Sequence, residues 1–373
     1  KSGFGIFLNL VIMVIIHLFI LNSNIKRPCY ATAAILVKQN NPLVVDNIEL
    51  PRSLDVGQVL VDVHVSGICG SQLGEISGAK GVDNFLPHLL GHEGCATVLE
   101  IGPGVKTVMP GDLVVMHWRK GLGIQADPAK YLWKDKIVNA GWVTTFNSFA
   151  VISENRCTKI PKDTNHEIAA MFGCAVTTGF GVVENNARLS IGESVVIFGA
   201  GGIGLNVIQA CKMVSGVPII AVDLFDSRLN LAKEIGATHV INSTKEDAEK
   251  RIKEILAEDQ LDVFIDNTGI PKIIELGYKL THSEGRVVLV GVPRIGSNIN
   301  IYSLSLHFGK ILTGSHGGEA VPHKDIPRYL KLSNENMCSI NKLITERYPL
   351  SSINEAIDAM KSGDTVGRVL IKT

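Results

Sequence analysis

Between Ala31 and about Ile160, short apolar runs are broken by turns: TAAILV, LVVDNIEL, QVLVDVHVSGI, ATVLEIG, DLVVMHW and FNSFAVIS. Within the third run, VLVDVHV alternates apolar and polar positions as a half-buried strand should, and the whole stretch predicts an all-β lobe. After a helical stretch beginning near Asn165 the pattern changes. SVVIFGA, VPIIAVDL, HVINS, DVFIDNTG and GRVVLVGV are apolar without alternation, and the segments between them, such as LNLAKEIGA and KRIKEILAE, have helical spacing. Strands buried on both faces and joined by helices predict a parallel sheet. Beyond about Ser315 this rhythm stops. A helix around INEAIDAMKSG and a last strand, GRVLIKT, are expected to return to the first lobe.

One segment stands apart. Phe4 to Leu21 are almost continuously apolar, about the minimum length for a membrane span. The run contains Asn9 and His17 and is followed by Pro28, Cys29 and Tyr30 rather than by a small-residue cleavage site. Residues 1–29 are therefore read as an extension outside the fold, either upstream sequence or a fragment end, with a membrane anchor as the alternative. As an anchor, Lys26 and Arg27 against Lys1 would keep the C-terminal side in the cytoplasm.

Composition narrows the partners. The 373 residues are enough for two domains, and 36 Lys+Arg balance 36 Asp+Glu. No basic stripe suggests a nucleic acid, so small molecules are expected. The 7 cysteines are odd in number and scattered, which favours reduced thiols or metal ligands in a reducing, cytoplasmic setting.

The strand SVVIFG runs into Gly199-Ala200-Gly201-Gly202-Ile203-Gly204, followed by the helical LNVIQACKMV. Strand, glycine turn and helix in this order suit a dinucleotide pyrophosphate, with Gly199, Gly201, Gly202, Ile203 and Gly204 as the contact. The next strand ends at Asp223, where a carboxylate can bind ribose hydroxyls and repel a 2′-phosphate, so NAD is expected over NADP. Arg228 is read as a second ribose contact or a solvated helix residue, although a guanidinium there could also accept a phosphate.

Cys69 ends a strand in SGICGS, His92 lies in LGHEG, and Cys174 follows EIAAMFG. Singly, a buried cysteine is a small hydrophobe and a histidine a structural hydrogen bonder. Together, two thiolates and an imidazole make a three-ligand zinc site whose fourth position is left for water or substrate, a set for which alcohol dehydrogenase is itself the standing example.

At these residues a resemblance becomes specific. CGS at 69–71, GHEG at 91–94, PGD at 110–112, GCAVTTGFG at 173–181, GAGGIG at 199–204 and VGVP at 290–293 resemble, in order, the signatures of zinc-containing medium-chain alcohol dehydrogenases. The resemblance runs from about Ala31 to Thr373. It implies an α/β protein, with a GroES-like β-barrel catalytic domain (30–178 and 316–373) and a doubly wound parallel Rossmann sheet (179–315). It implies that Cys69, His92 and Cys174 hold one catalytic zinc, that Glu93 is a carboxylate near the metal, and that Val292 and Arg368 contact the cofactor. The implied reaction passes a hydride between an alcohol and NAD, giving an aldehyde or ketone, with zinc lowering the alcohol pKa. Ser71 would carry the proton away, its plainer role being a turn serine. A homodimer or homotetramer is implied as well.

The chain departs from the pattern in several places. The segment Val114–Phe149, where a second, structural zinc usually has four cysteines, has none; Trp118, Trp133, Trp142, Tyr131 and Phe146 fall there instead. Aromatic packing is expected to hold this lobe, with Trp118 the best placed to line the substrate cleft. Gln72 replaces an aspartate that orients the zinc-bound histidine, and its amide oxygen is expected to accept from His92. Gly74 stands where liver-type enzymes end a proton relay in histidine. His316 in GSHGG is read as a loop histidine making a subunit or cofactor contact. The rival readings are a zinc-free quinone or enoyl reductase of the same superfamily, a thiol-adduct formaldehyde dehydrogenase, and a catalytically silent NAD-binding protein.

Overall fold

The computed structural model describes residues 27–363 and 365–373. The apolar run Phe4–Leu21 lies outside them. Among the described residues no helix is long and apolar enough to cross a membrane.

The first half of the chain and its last two strands build two sheets, antiparallel except where Ile344–Pro349 runs parallel to Arg368–Lys372. In the larger one the central strand Gln58–Gly67 lies between Glu93–Ile101 and the last strand of the chain, Arg368–Lys372, and also pairs with Phe149–Ser153. Its alternation is real: Val59, Val61, Val63 and Val65 are buried, while Asp62 and His64 are half-buried on the other face. The smaller sheet pairs Tyr30–Leu36 with Val44–Glu49 and extends through the hairpin Tyr131–Trp133/Lys136–Val138. That hairpin was not legible in the sequence; its turn residues Lys134 and Asp135 both have positive φ, as a tight right-twisting turn requires.

The second sheet system is parallel, with six strands: Val195–Phe198, Ile219–Asp223, His239–Asn242, Leu261–Asp266, Thr281–Leu289 and Ile311–Gly314. Counted along the chain they lie in the order 3-2-1-4-5-6, which reverses beside the first strand and opens a crevice at the strand C-termini. The sequence pattern predicts five of these strands; the sixth, Ile311–Gly314, is a half-exposed edge and lacks a continuous apolar run.

The tail does return to the first lobe. Leu370, Ile371 and Lys372 lie opposite Gly67, Ser66 and Val65. This pairing brings Arg368 to the end of the strand that leads into Cys69. Beyond Ser315 the structure also holds a helix, Pro322–Asn334, and a strand, Ile344–Pro349, neither of which the pattern predicts.

Candidate metal and nucleotide site

Cys69 and Cys174 occupy equivalent local positions. Each is the residue capping the N-terminus of a short helix, Gly70–Ile76 and Ala175–Gly181 respectively. The second follows the helix His166–Met171, which starts where Asn165 accepts hydrogen bonds from the Glu167 and Ile168 amides. A helix N-terminus favours a thiolate over a thiol. His92 arrives from the opposite direction, between Gly91 at φ 93° and the strand Glu93–Ile101.

The ligand atoms of Cys69, His92 and Cys174 all lie within 4.8 Å of one another. Both cysteines are buried, and His92 Nε2 is buried with no hydrogen-bond partner among the described residues. The Cys174 thiol donates to Cys69, which holds the Cys69 thiol well below its usual range against the opposing effect of burial, with help from Arg368. The same hydrogen bond, together with burial, pushes the Cys174 thiol up. Two sulfurs sharing one proton beside an unpartnered imidazole nitrogen fit a soft, nitrogen- and sulfur-seeking cation such as zinc.

Glu93 lies directly behind this group and is fully buried. Its Oε1 accepts from Arg368 Nη2 and its Oε2 from the Ala175 amide at 3.2 Å. The space it fills exists because residue 67 is glycine: a Cβ there would sit 2.3 Å from Glu93 Oε1. Burial raises the Glu93 carboxyl, and the Arg368 charge opposes this. Burial also works against the charge on Arg368, but Glu93, Cys69 and Cys174 more than offset it and hold the guanidinium above its ordinary range.

The same Arg368 reaches the nucleotide turn, because a Cβ on Gly202 would meet its Nη1 at 3.1 Å. Gly199 has φ 92°, Gly201 faces open space, and Gly202 begins the helix Gly202–Met213. Gly204 packs so tightly on the strand end that a Cβ would come within 1.9 Å of the Gly199 carbonyl oxygen. Ile203 is half-buried against the core. Asp223 ends the second strand and accepts from the Ala200 amide at 2.7 Å and the Leu224 amide at 2.8 Å. Arg228 is neither free nor solvated. It stacks 4.7 Å over Phe225, sits 3.9 Å from Asp223, and donates to the carbonyls of Thr365 and Gly363, so it ties the nucleotide lobe to the C-terminal segment.

Val292 is exposed in the wall of a cleft of about 490 Å³ between the lobes. Leu73, Gly74 and Ser77 of the first lobe face Thr268, Gly269 and Val292 of the second across it. Ser71 is half-buried in the first turn of the helix Gly70–Ile76. Gln72 departs from its expected role: its amide oxygen accepts from the Cys69 amide at 3.1 Å, closing the helix turn on itself.

Trp118 stands at the other side of His92, with ring centroids 6.5 Å apart. The other two tryptophans pack elsewhere. Trp133 donates to Asp46, and Trp142 lies under the Arg156 guanidinium. His316 touches Trp118 at 4.9 Å in an edge contact and accepts from Arg119 Nη1 at 2.8 Å. Arg119 was not singled out in the sequence: it belongs to no motif, and its partners lie about 200 residues away, at His316 and Ala320.

Comparison with known proteins places these elements. Residues 55–162 match the alcohol dehydrogenase GroES-like domain, and residues 202–335 match the zinc-binding dehydrogenase family. The S-(hydroxymethyl)glutathione dehydrogenase of Paracoccus denitrificans is 30% identical, with 91% of this chain and 99% of that protein covered. Alcohol dehydrogenase 6 of Peromyscus maniculatus is 31% identical, covering 91% and 97%. Among solved structures, the benzyl alcohol dehydrogenase of Acinetobacter calcoaceticus superimposes with a TM-score of 0.82 at 28% identity, covering 92% of this chain and 99% of that one.

Proposed function

From the premise that this chain belongs to the zinc-binding alcohol dehydrogenase family and is an oxidoreductase acting on alcohols, we propose that it holds one zinc ion and uses NAD as its partner in hydride transfer. The observation that carries this reading is the convergence of Cys69, His92 and Cys174 around an unpartnered, buried His92 Nε2. Zinc held there supplies a Lewis acid that lowers the pKa of an alcohol, and NAD supplies the two-electron acceptor.

The chain's own residues have the following parts. The N-terminus of the helix Gly202–Met213, with Arg368 beside it, binds the pyrophosphate. Asp223 binds the adenosine ribose and disfavours a 2′-phosphate; Arg228 is close enough to share that contact. Val292 lines the cleft in which the nicotinamide end lies. Ser71, two residues beyond Cys69, takes up the alcohol proton. Glu93 keeps Arg368 in place and contributes a negative charge behind the thiols.

The lobes divide as 30–178 with 316–373, and 179–315. The chain assembles as a homo-oligomer through the open edge of the parallel sheet. The unpaired side of Ile311–Gly314 and the exposed Tyr302, Phe308 and Ile311 support this. The names of the relatives mention S-(hydroxymethyl)glutathione and benzyl alcohol, both of which carry a hydroxymethyl group, and this supports primary alcohols as substrates.

Elemental analysis of protein kept reduced throughout tests the reading, together with NADH formation on an alcohol panel. One zinc per chain and NAD-linked turnover support it. Zinc-free protein would transfer the assignment to the zinc-free reductases.

A further inference from the structure

The arginines that sit in the body of this protein are paired with acids: Arg228 with Asp223, Arg286 with Glu193, Arg368 with Glu93. Arg119 and Arg156 are not. Among the described residues neither forms an ion pair, although Arg156 is 5% exposed and Arg119 is half-buried. Burial without a counter-charge is costly. Burial and the nearby Arg119 charge both hold Arg156 below its ordinary range.

Both guanidiniums converge on Trp118. Arg156 Nη1 donates to its carbonyl at 2.9 Å, and Arg119 lies 5.7 Å over its ring. Arg119 spends Nε on the Ala320 carbonyl at 2.9 Å and Nη1 on the His316 ring and carbonyl. Its Nη2 has no hydrogen bond among the described residues. Because a guanidinium can only donate, His316 Nδ1 must accept, and the ring carries its proton on Nε2. His316 itself is exposed. The one acid in this loop, Glu319, is occupied by the His316 amide at 3.0 Å and by Asn186. Beyond Trp118, as seen from His92, Arg119 Nη2 and His316 Nε2 are therefore two N–H donors beside a positive charge that no acid pairs with among the described residues.

We infer that Arg119 and His316 form a subsite for a carboxylate borne by the substrate at the end remote from its reacting carbon, with Trp118 as the flat wall between. Two donors match the two oxygens of a carboxylate. The inference rests on the reading that alcohol chemistry takes place at Cys69, His92 and Cys174.

The test compares kcat/KM for para-(hydroxymethyl)benzoate with that for its neutral isostere para-(hydroxymethyl)benzamide, with benzyl alcohol as reference and NAD as acceptor. The full chain should favour the carboxylate over the amide by about tenfold or more, and added salt should reduce that ratio. Arg119→Gln should bring the ratio close to one, and Arg119→Lys should keep part of it. His316→Leu should lower the ratio too, and it serves where Arg119→Gln does not fold. A ratio near one in the unmodified protein, or a ratio unchanged in both variants, overturns the carboxylate subsite while benzyl alcohol turnover leaves the parent reading standing. Absence of zinc and of turnover on all three alcohols overturns both.

Discussion

Arg368 donates to Glu93 with one end of its guanidinium and lies against Gly202 with the other, so a single buried side chain meets both the carboxylate behind the thiols and the nucleotide turn. It can do so because its strand, Arg368–Lys372, pairs with the one that ends at Gly67, while the glycine turn approaches from the second lobe. The ion pair with Glu93 anchors Arg368 within the first lobe, and its approach to Gly202 brings the two halves of the candidate site together.

Removing one member of that pair leaves the other charged and buried. Glu93→Ala is expected to destabilise the fold by about 3–5 kcal/mol in urea unfolding, because Arg368 loses the one carboxylate it pairs with among the described residues. The surface pair Arg347–Glu167, with side chains 41% and 20% exposed, is the control. Arg347→Ala should cost about 1 kcal/mol or less. Equal losses in the two variants would remove the argument that burial makes the first pair matter.

Cys174 and Cys211 are both fully buried thiols whose ionisation burial opposes, and they separate metal binding from packing. Cys174→Ala is expected to lose zinc in elemental analysis and to lower activity by at least about 100-fold, since even outer-shell changes cost 10–100-fold. Cys211→Ala, in the core of the helix Gly202–Met213, should keep its zinc while losing some stability. Zinc retained in the Cys174 variant would remove that residue from the ligand set.

The grouping of Cys69, His92 and Cys174 and the glycine turn of the candidate site were legible in the sequence because their residues sit in short motifs whose spacing follows from local geometry. Gly199 to Gly204 form one turn, and CGS, GHEG and GC each place a side chain at the end of a strand or the start of a helix. The hairpin Tyr131–Val138, the edge strand Ile311–Gly314 and the helix Pro322–Asn334 were not legible, because their burial depends on partners distant in sequence. Arg228 shows the same limit. It was read as a ribose contact or a solvated helix residue; its tie to the carbonyls of Gly363 and Thr365, about 135 residues further on, could not be read locally. His316 was read as a loop histidine; its contacts within the chain, to Trp118 and Arg119, were not legible because Arg119 is about 200 residues away.

His117 supplies a pH prediction. It is 1% exposed, its Nδ1–H is positioned to donate to the Arg119 carbonyl at 2.8 Å, and its Nε2 to accept from Thr158 at 2.9 Å. Burial lowers its pKa from 6.5 to about 4, so the folded protein keeps it neutral. A folded pKa below the unfolded one means that the unfolded chain binds the extra proton first. Stability is therefore full above pH 6.5 and falls as the pH drops toward 4. The loss attributable to this residue is about 3 kcal/mol across that window. His117→Gln should flatten the stability curve there in denaturant titrations at stepped pH. An unchanged curve would assign the pH dependence to other groups.

On the proposed reading, the cofactor preference turns on Asp223. Its carboxylate, 6% exposed, accepts from three backbone amides, those of Ala200, Leu224 and Phe225, at 2.7, 2.8 and 3.1 Å. Those bonds fix the side chain at the end of its strand, where a ribose would lie, and its charge repels a 2′-phosphate. Asp223→Asn keeps the shape and one acceptor oxygen but removes the charge. Arg228, 3.9 Å away, then has no paired acid among the described residues, and its Nη1 is available to a phosphate. The ratio of kcat/KM for NAD over NADP should fall by about tenfold or more in Asp223→Asn, by the loss of one charge–charge repulsion and the gain of a guanidinium contact. Adding Arg228→Ala should reverse much of the gain for NADP without restoring the use of NAD. A ratio that does not move in Asp223→Asn would mean that selectivity is set elsewhere in the cleft, with Asp223 serving only to hold the Gly199–Gly204 turn.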